Sequence, residues 1–292
     1  MKIKHFLIYF LTAIVGITAC DEVNENERFL PGPPIDIIDT TEVDTTDIDS
    51  IIISPKKVVL VEEFTGQKCT NCPDAQRLLK GIMEQETYQG RIVVVGIHAG
   101  NFGIADGGTG SSATMPGLMQ PEGNVYAEHW KVNAYPAALF NRKDAPVSTT
   151  ATWQSRINEQ LMQKAKMNIE VEAKLDADNN INISAKMAAS EDIQAKLQLW
   201  ITESHIVTLQ IDNGNVDTKY EHNHVYRACV NGTWGEDVLI KTQEWLTLSR
   251  QIAAKENWNK NNLSVVAFVY DEKEGVYQVA ECKVVSGSET AE

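Results

Sequence analysis

The sequence lacks three features that would each point to a different class of protein. It contains no apolar run of about 20 residues, the length that a membrane-spanning helix needs. It has no surplus of positive charge, because 26 Lys and Arg residues face 40 Asp and Glu residues and give a net charge of −14. Nucleic-acid-binding proteins present a clustered basic face, so nucleic acid is excluded as a partner. The five cysteines include only one Cys-x-x-Cys motif, which excludes a zinc site built from two such motifs.

The N-terminal segment has the pattern of a secretory signal peptide. Two lysines precede an apolar run of twelve residues at 6–17, and we assign residues 1–19 to the signal. The run ends in Ile17-Thr18-Ala19-Cys20, which resembles the lipobox of bacterial lipoproteins, in which the cysteine thiol is acylated. The resemblance implies lipidation at Cys20 and attachment to a membrane through this anchor. An ordinary cleaved signal and a retained transmembrane helix are the alternatives.

Residues 20–54, which begin with the cysteine that the resemblance implies is lipidated, have the composition of an acidic tether. Ten Asp or Glu residues face a single basic residue, Arg28, between positions 21 and 54, and three prolines interrupt any helix. A segment with so little apolar surface cannot offset the entropy of folding, so we expect it to be extended and solvated. We also expect a disordered tail at residues 287–292.

A Cys-x-x-Cys motif follows the first buried strand. The apolar run Val58–Val61 predicts that strand, and apolar residues at helical spacing after position 74 predict a helix. The motif therefore lies at a strand-to-helix turn, where the helix dipole stabilises a thiolate, and the positive charge of Lys68 adds to this effect. We assign Cys69 as the attacking nucleophile and Cys72 as the resolving thiol.

Two other interpretations of this motif stay open. A zinc site would need two further ligands at suitable spacing, and no such pair is evident. A purely structural or inactive disulfide would have the same sequence. We predict no metal and no cofactor.

Further residues extend a resemblance to thioredoxins. Glu63, six residues before Cys69, occupies the place of a buried acid that is thought to relay protons, although a surface carboxylate at a strand end is the alternative. Tyr135-Pro136 matches the cis-proline that opens a strand opposite the motif. The resemblance implies a substrate-binding region formed by Lys68, Tyr135 and Pro136. Thioredoxins have tryptophan in place of Lys68, so their substrate preference is not carried over.

A narrower resemblance covers most of the mature chain. It rests on four segments: Val59 to Pro73, Ile97-His98-Ala99-Gly100, Tyr135-Pro136 and His222-Asn223-His224-Val225-Tyr226-Arg227. Together they resemble the Omp28-related outer-membrane lipoproteins. The resemblance implies a thioredoxin-like domain, a β-rich C-terminal domain and a lipid-anchored location at the outer membrane, on its periplasmic face or at the cell surface. It does not imply a particular reaction.

The period of the hydrophobic pattern changes near residue 167. A helix is predicted from about Thr152 to Lys166, and about seven segments with strand-like, largely alternating patterns follow it. We therefore predict an α/β thioredoxin-like domain at 55–166, followed by an all-β immunoglobulin-like sandwich at 167–286. The oligomeric state is not predicted.

Two residue pairs in the second half could have structural roles. Cys229 and Cys282 lie in separate predicted strands and could form a structural disulfide or remain free thiols. His222 and His224, two positions apart, would face the same side of a strand, as metal ligands can. A pair alone leaves a metal site short of ligands, so we favour hydrogen-bonding roles for both histidines.

Two classes of function follow. The first is a thiol-disulfide oxidoreductase of the outer membrane that acts on a protein or peptide thiol or disulfide. In it, Cys69 attacks, Cys72 resolves and Glu63 relays protons. The second is a non-enzymatic binding or adhesion lipoprotein that uses the thioredoxin fold as a scaffold. Fold alone does not choose between them.

Overall fold

The computed structural model describes residues 56–107 and 115–286, all within one compact unit, Asp49–Glu292. The predicted signal peptide, the lipidation at Cys20, the tether at 20–54 and the tail at 287–292 lie outside the described residues. Among the helices of the described ranges, none is long and apolar enough to cross a membrane.

The described chain forms three α-helices and fourteen strands. The helices are α1 (Cys72–Met83), α2 (Pro121–His129) and α3 (Trp153–Leu161). The first seven strands are β1 (Val59–Thr65), β2 (Ile92–His98), β3 (Ala137–Phe140), β4 (Lys143–Val147), β5 (Met167–Leu175), β6 (Asn180–Ala189) and β7 (Ile193–Glu203). The other seven are β8 (Ile206–Asp212), β9 (Asn215–His222), β10 (Val225–Cys229), β11 (Glu236–Ile240), β12 (Leu246–Ala253), β13 (Leu263–Asp271) and β14 (Gly275–Ser286). Single 3₁₀ turns occupy Glu86–Tyr88, Gly100–Phe102, Thr150–Thr152 and Lys260–Asn262.

Twelve of these strands form one mixed sheet. Its order is β12-β6-β5-β14-β13-β7-β10-β2-β1-β3-β4, and β11 pairs with the first part of β7, at residues 193–197. The pairs β1/β2, β2/β10 and β5/β14 are parallel, and the other neighbours are antiparallel. Strands β8 and β9 form a separate two-stranded sheet.

The predicted fold class, an α/β thioredoxin-like domain followed by a separate immunoglobulin-like sandwich, is wrong. Strands β1 to β4 share their sheet with eight strands from the second half of the chain, and β10 joins β2 through the pair Val225 and Gly96. The core is also shared, because Leu60 and Val95 belong to the same buried cluster as Trp200 and Phe268. The limits at residues 54, 166 and 286 stay predictions about the organisation of the chain.

Helix α1 packs on one face of β1 because its apolar residues recur at helical spacing. Ala75, Leu79 and Ile82 are buried against Val59 and Val61, in a cluster to which α3 also contributes. Successive side chains of a strand point to opposite faces, so the odd-numbered residues of β1 face α1. This packing holds the N-terminus of α1 at the end of β1.

A buried ion pair lies on the opposite face of β1. The Arg142 guanidinium donates to Glu62 at 2.9 Å, and both side chains are almost fully buried. The guanidinium carbon also lies 4.7 Å from the Phe268 ring centre and 4.3 Å from that of Tyr270. Arg142 thus joins a charge on β1 to the aromatic core of β13.

Candidate thiol-disulfide site

Cys69 and Cys72 are joined by a disulfide, with an S–S distance of 2.07 Å. Cys72 is the first residue of α1 and Pro73 lies in its first turn, where its missing N–H costs no hydrogen bond. The Cys69 amide donates to the carbonyl of Gly66 at 2.9 Å, which closes the turn between β1 and α1. The predicted position of the motif at a strand-to-helix turn is confirmed.

The helix terminus provides the electrostatic setting for a thiolate. The first N–H groups of a helix have no partner within it, and the dipole places partial positive charge there. Lys68 is exposed beside the motif, and its amide donates to the carbonyl of Phe102 at 2.9 Å. After reduction, both features would stabilise a cysteine thiolate relative to the thiol.

Glu63 is a buried acid on the α1-facing side of β1. It is 2% exposed, which rules out the alternative of a surface carboxylate. Burial raises the pKa of Glu63 from 4.5 to about 8, although hydrogen bonds from Thr65 and Gln76 lower it in part. Glu63 Oε1 has no hydrogen-bond partner among the described residues. Gln76 lies four residues after Cys72, so the carboxyl group is on the helix face that carries the resolving cysteine.

The hairpin of β8 and β9 covers the disulfide. Cys69 is 2% exposed and Cys72 is fully buried. The Gln210 side chain donates to the carbonyls of Gly66 at 3.3 Å and Cys69 at 3.0 Å. In the closed structure, therefore, neither sulfur is open to a large partner.

The residues predicted to bind substrate lie around the same turn. The Tyr135–Pro136 peptide bond is cis, as the resemblance implied. Because Ala137 pairs with Phe64, Pro136 lies beside the end of β1, where the Cys69 turn begins. The Tyr135 ring lies 5.4 Å from that of Phe102.

Tyr135 and Phe102 also line an open cleft of about 550 Å³. Gly100 lies under the tyrosine, with a φ of 62°, and a Cβ there would lie 2.8 Å from the Tyr135 hydroxyl. The other lining residues include Asn124, Glu128 and Lys131. Lys68 and the two cysteines do not line this cleft, although the Lys68 amide is bonded to one of its residues, Phe102.

The two histidines take different positions. Strand β9 ends at His222 and β10 begins at Val225, so the expectation that both face the same side of one strand is wrong. His222 is buried, its ring lies 5.4 Å from that of His98, and burial lowers the pKa of His222 to about 4. His224 is half-buried, and burial also lowers its pKa. In residues 56–107 and 115–286, no group of three potential metal ligands is found.

Cys229 and Cys282 are both free thiols, so the structural disulfide considered for them is not formed. Cys229 pairs with Trp200, which is buried on one face of the sheet, and Cys282 pairs with Val265, which is buried on the other. Two side chains on opposite faces of one sheet cannot approach to bonding distance. Burial raises the pKa of the Cys282 thiol to about 12 and also raises that of Cys229.

Comparison with known proteins assigns the family. The family model of the outer membrane protein Omp28 matches residues 123–287, more than half of the 292 residues. The chain belongs to the Omp28 family. This Omp28-family protein is thus an outer-membrane lipoprotein of the cell envelope, as the resemblance predicted.

Two solved structures are similar to this Omp28-family chain. HBP35 of Porphyromonas gingivalis superposes with a TM-score of 0.64 at 14% identity, over 81% of this chain and 79% of that one. At this identity the likeness concerns the fold alone. A domain of the outer membrane lipoprotein Omp28 from Porphyromonas gingivalis is 26% identical, with a TM-score of 0.32, over 42% of this chain and 92% of that one. Curated protein sequences give no match.

The β8–β9 hairpin is the part of the site that sequence reasoning missed. One of the seven strand-like segments predicted after residue 167, Ile206 to Ile211, corresponds to β8. Strand β9 was not predicted, because it reads Asn-Val-Asp-Thr-Lys-Tyr-Glu-His and its side chains are largely exposed. The signal that could have found it is Asn213-Gly214, since an Asn-Gly dipeptide between two strands favours a tight hairpin turn. Both residues have a positive φ, 48° and 81°.

Proposed function

We propose that this Omp28-family lipoprotein is a thiol-disulfide oxidoreductase that acts through Cys69 and Cys72. The observation that carries the proposal is the combination of a disulfide at a helix N-terminus with a buried acid on the adjoining strand. Each part has a chemical use in exchange, because the helix stabilises the attacking thiolate and the acid handles protons.

The reaction would proceed in two steps. In the reduced protein, the Cys69 thiolate attacks one sulfur of a substrate disulfide, which forms a mixed disulfide and releases the first substrate thiolate. Cys72 then gives its proton to the Glu63 carboxylate and attacks the Cys69 sulfur, which releases the second substrate thiolate. The substrate disulfide gains two electrons and, from solvent and protein, two protons, while the cysteine pair becomes oxidised. The same steps in reverse oxidise a substrate dithiol.

The pKa of Glu63 suits this proton transfer. A carboxyl group with a pKa of about 8 is about one-tenth ionised at pH 7 and about half-ionised at pH 8, so the ionised fraction can accept a proton in one step and the protonated form can return it in the reverse. Lys68, Tyr135 and Pro136 surround the turn and would bind a peptide substrate. No metal or cofactor takes part in these steps.

The decisive measurement is the reduction potential of the Cys69–Cys72 pair in the mature chain. The chain is equilibrated with glutathione at varied ratios, and the reduced fraction is read by alkylation and mass spectrometry. A double variant with Cys69→Ser and Cys72→Ser is denatured and alkylated in the same way. It gives the part of the alkylation signal that comes from Cys229 and Cys282. We expect a potential above about −300 mV, in the range of exchanging pairs. A potential well below it, with no transfer to a disulfide-containing protein, would contradict the proposal.

The burial of both sulfurs favours a second candidate, a binding or adhesion lipoprotein in which the disulfide is a permanent cross-link. The two functions differ in their need for the thiols. The Cys69→Ser, Cys72→Ser variant of the full chain should lose exchange activity under the first proposal and keep all partner binding under the second. Capture of envelope proteins by the wild type and this variant distinguishes them.

A further inference from the structure

The β8–β9 hairpin stands apart from the large sheet. It leaves the sheet after β7 and returns to it at β10, and its two strands pair only with each other in the described sheets. Its inner side faces the Cys69 turn and the start of α1. A two-stranded hairpin is marginally stable by itself, so its position depends on these contacts.

Main-chain amides of the hairpin donate hydrogen bonds to the Cys69 turn. The Ile211 amide donates to the carbonyl of Gln67 at 2.8 Å, and the Asn213 amide donates to the carbonyl of Thr70 at 3.1 Å. Ile211 belongs to β8, whereas Asn213 lies in the tight turn that follows β8. Peptide recognition by strand addition uses main-chain donors of extended segments, and Ile211 is such a donor. The turn therefore offers carbonyl acceptors on both sides of Cys69.

Side chains fasten the hairpin at two further places. Asp212 accepts two hydrogen bonds from Arg77 of α1, at 2.9 and 3.0 Å. The Tyr220 hydroxyl donates at 2.7 Å to Gln76, the residue that also bonds Glu63. The hairpin thus contacts both the turn that contains Cys69 and the residues around Glu63, the proposed proton relay.

The outer side of the hairpin is largely exposed and has few buried apolar contacts. Residues 215–219 are all exposed, and Val207 and Val216 are 55% and 61% exposed although they are apolar. Segments with few buried apolar contacts open at a lower free energy than the core of the same protein. We therefore expect the hairpin to open at a lower free energy than the twelve-stranded sheet.

We propose that the β8–β9 hairpin is a gate that occupies the peptide site beside Cys69, and that an extended polypeptide substrate replaces it there. The substrate would present main-chain N–H groups to the carbonyls of Gln67 and Thr70. This inference rests on the proposed function, because it names the substrate class and the regulation of that site.

Reduction by a small phosphine tests the gate without any protein substrate. The oxidised full chain is treated with tris(2-carboxyethyl)phosphine, which is itself oxidised as the disulfide takes up two electrons, and the new thiols are counted by alkylation and mass spectrometry. We expect the native disulfide to react at least about tenfold more slowly than that of the denatured chain, because the gate must open first.

Three variants distinguish opening of the hairpin from a general loss of stability. Asp212→Asn weakens the contact with Arg77 and should accelerate reduction about two- to fivefold. Gln210→Ala removes two buried hydrogen bonds to the turn and should accelerate it about five- to thirtyfold. Asp217→Asn, a matched change at an exposed position of β9, should leave the rate unchanged. Hydrogen exchange of residues 206–222 should rise in the first two variants and not in the third.

Equal reduction rates in Asp212→Asn, Gln210→Ala and Asp217→Asn, with all three folded, would overturn the gate. So would a wild-type rate equal to that of the denatured chain. Failure of the proposed function would give a different result, because the phosphine reaction measures only how accessible the Cys69–Cys72 disulfide is. In that case the variants would react faster while the potential stayed below about −300 mV and no protein disulfide exchanged.

Discussion

Replacing Glu63 with glutamine should remove a loss of stability that the wild-type protein suffers as pH rises. The unfolded chain ionises this carboxyl near its ordinary pKa of 4.5, whereas the folded chain keeps the proton up to a pKa of about 8. The stability is fully present below the lower value and falls as pH rises towards the higher one. At about 1.4 kcal/mol per pH unit, the total loss is about 5 kcal/mol. Glutamine has no ionisable group, so the variant does not lose stability in this way as pH rises.

Urea unfolding of both proteins, with the disulfide intact, measures this effect. The free energy of unfolding of Glu63→Gln minus that of the wild type should increase by up to about 5 kcal/mol between about pH 4 and about pH 9. Glutamine adds a constant offset through its own buried amide, so only the change with pH is informative. The matched control is Glu86→Gln, at an exposed position, for which the difference should not rise with pH. A flat difference for Glu63→Gln would refute the assignment of a protonated buried carboxyl.

Three other substitutions test the packing and the chemistry. Arg142→Met leaves the buried Glu62 carboxylate without its partner and should lower the free energy of unfolding by about 3–5 kcal/mol, read from urea midpoints. Gly66→Ala places a Cβ 2.5 Å from the main chain of Phe102, so the melting temperature should drop by several degrees or more; an unchanged value would contradict this close approach. Cys72→Ser should trap a mixed disulfide with glutathione, detected by mass spectrometry, because the resolving thiol is missing; a chain that stays unmodified would count against the assigned roles.

The local structure around the motif could be predicted because it depends on short patterns. The run Val58–Val61 predicted β1, and the helical spacing after position 74 predicted α1. The cis bond before Pro136 followed from a resemblance to thioredoxins, although the fold implied by that resemblance was wrong. Short-range patterns and local motifs survive changes in the architecture around them.

The continuity of the sheet could not be predicted, because it depends on contacts between distant parts of the chain. One pair, Val225 and Gly96, joins the halves at β10 and β2, and nothing in either segment specifies the other as its partner. The contacts of Arg142 with Trp200 and Phe268 also join residues that are far apart in the sequence. Periodicity shows which residues face a core, but not whether two segments share one.

The place of β1 in the sheet has a mechanical consequence. This strand is the first element of the described chain, and it is bonded to β2 in parallel through seven residue pairs and to β3 on its other side. Tension that reaches the chain from its N-terminal side would pull β1 along its own axis. It would thus load two ladders in shear at once, instead of peeling an edge strand one hydrogen bond at a time. A protein held to a membrane through this end would resist stretching at a strand that is hydrogen-bonded on both sides.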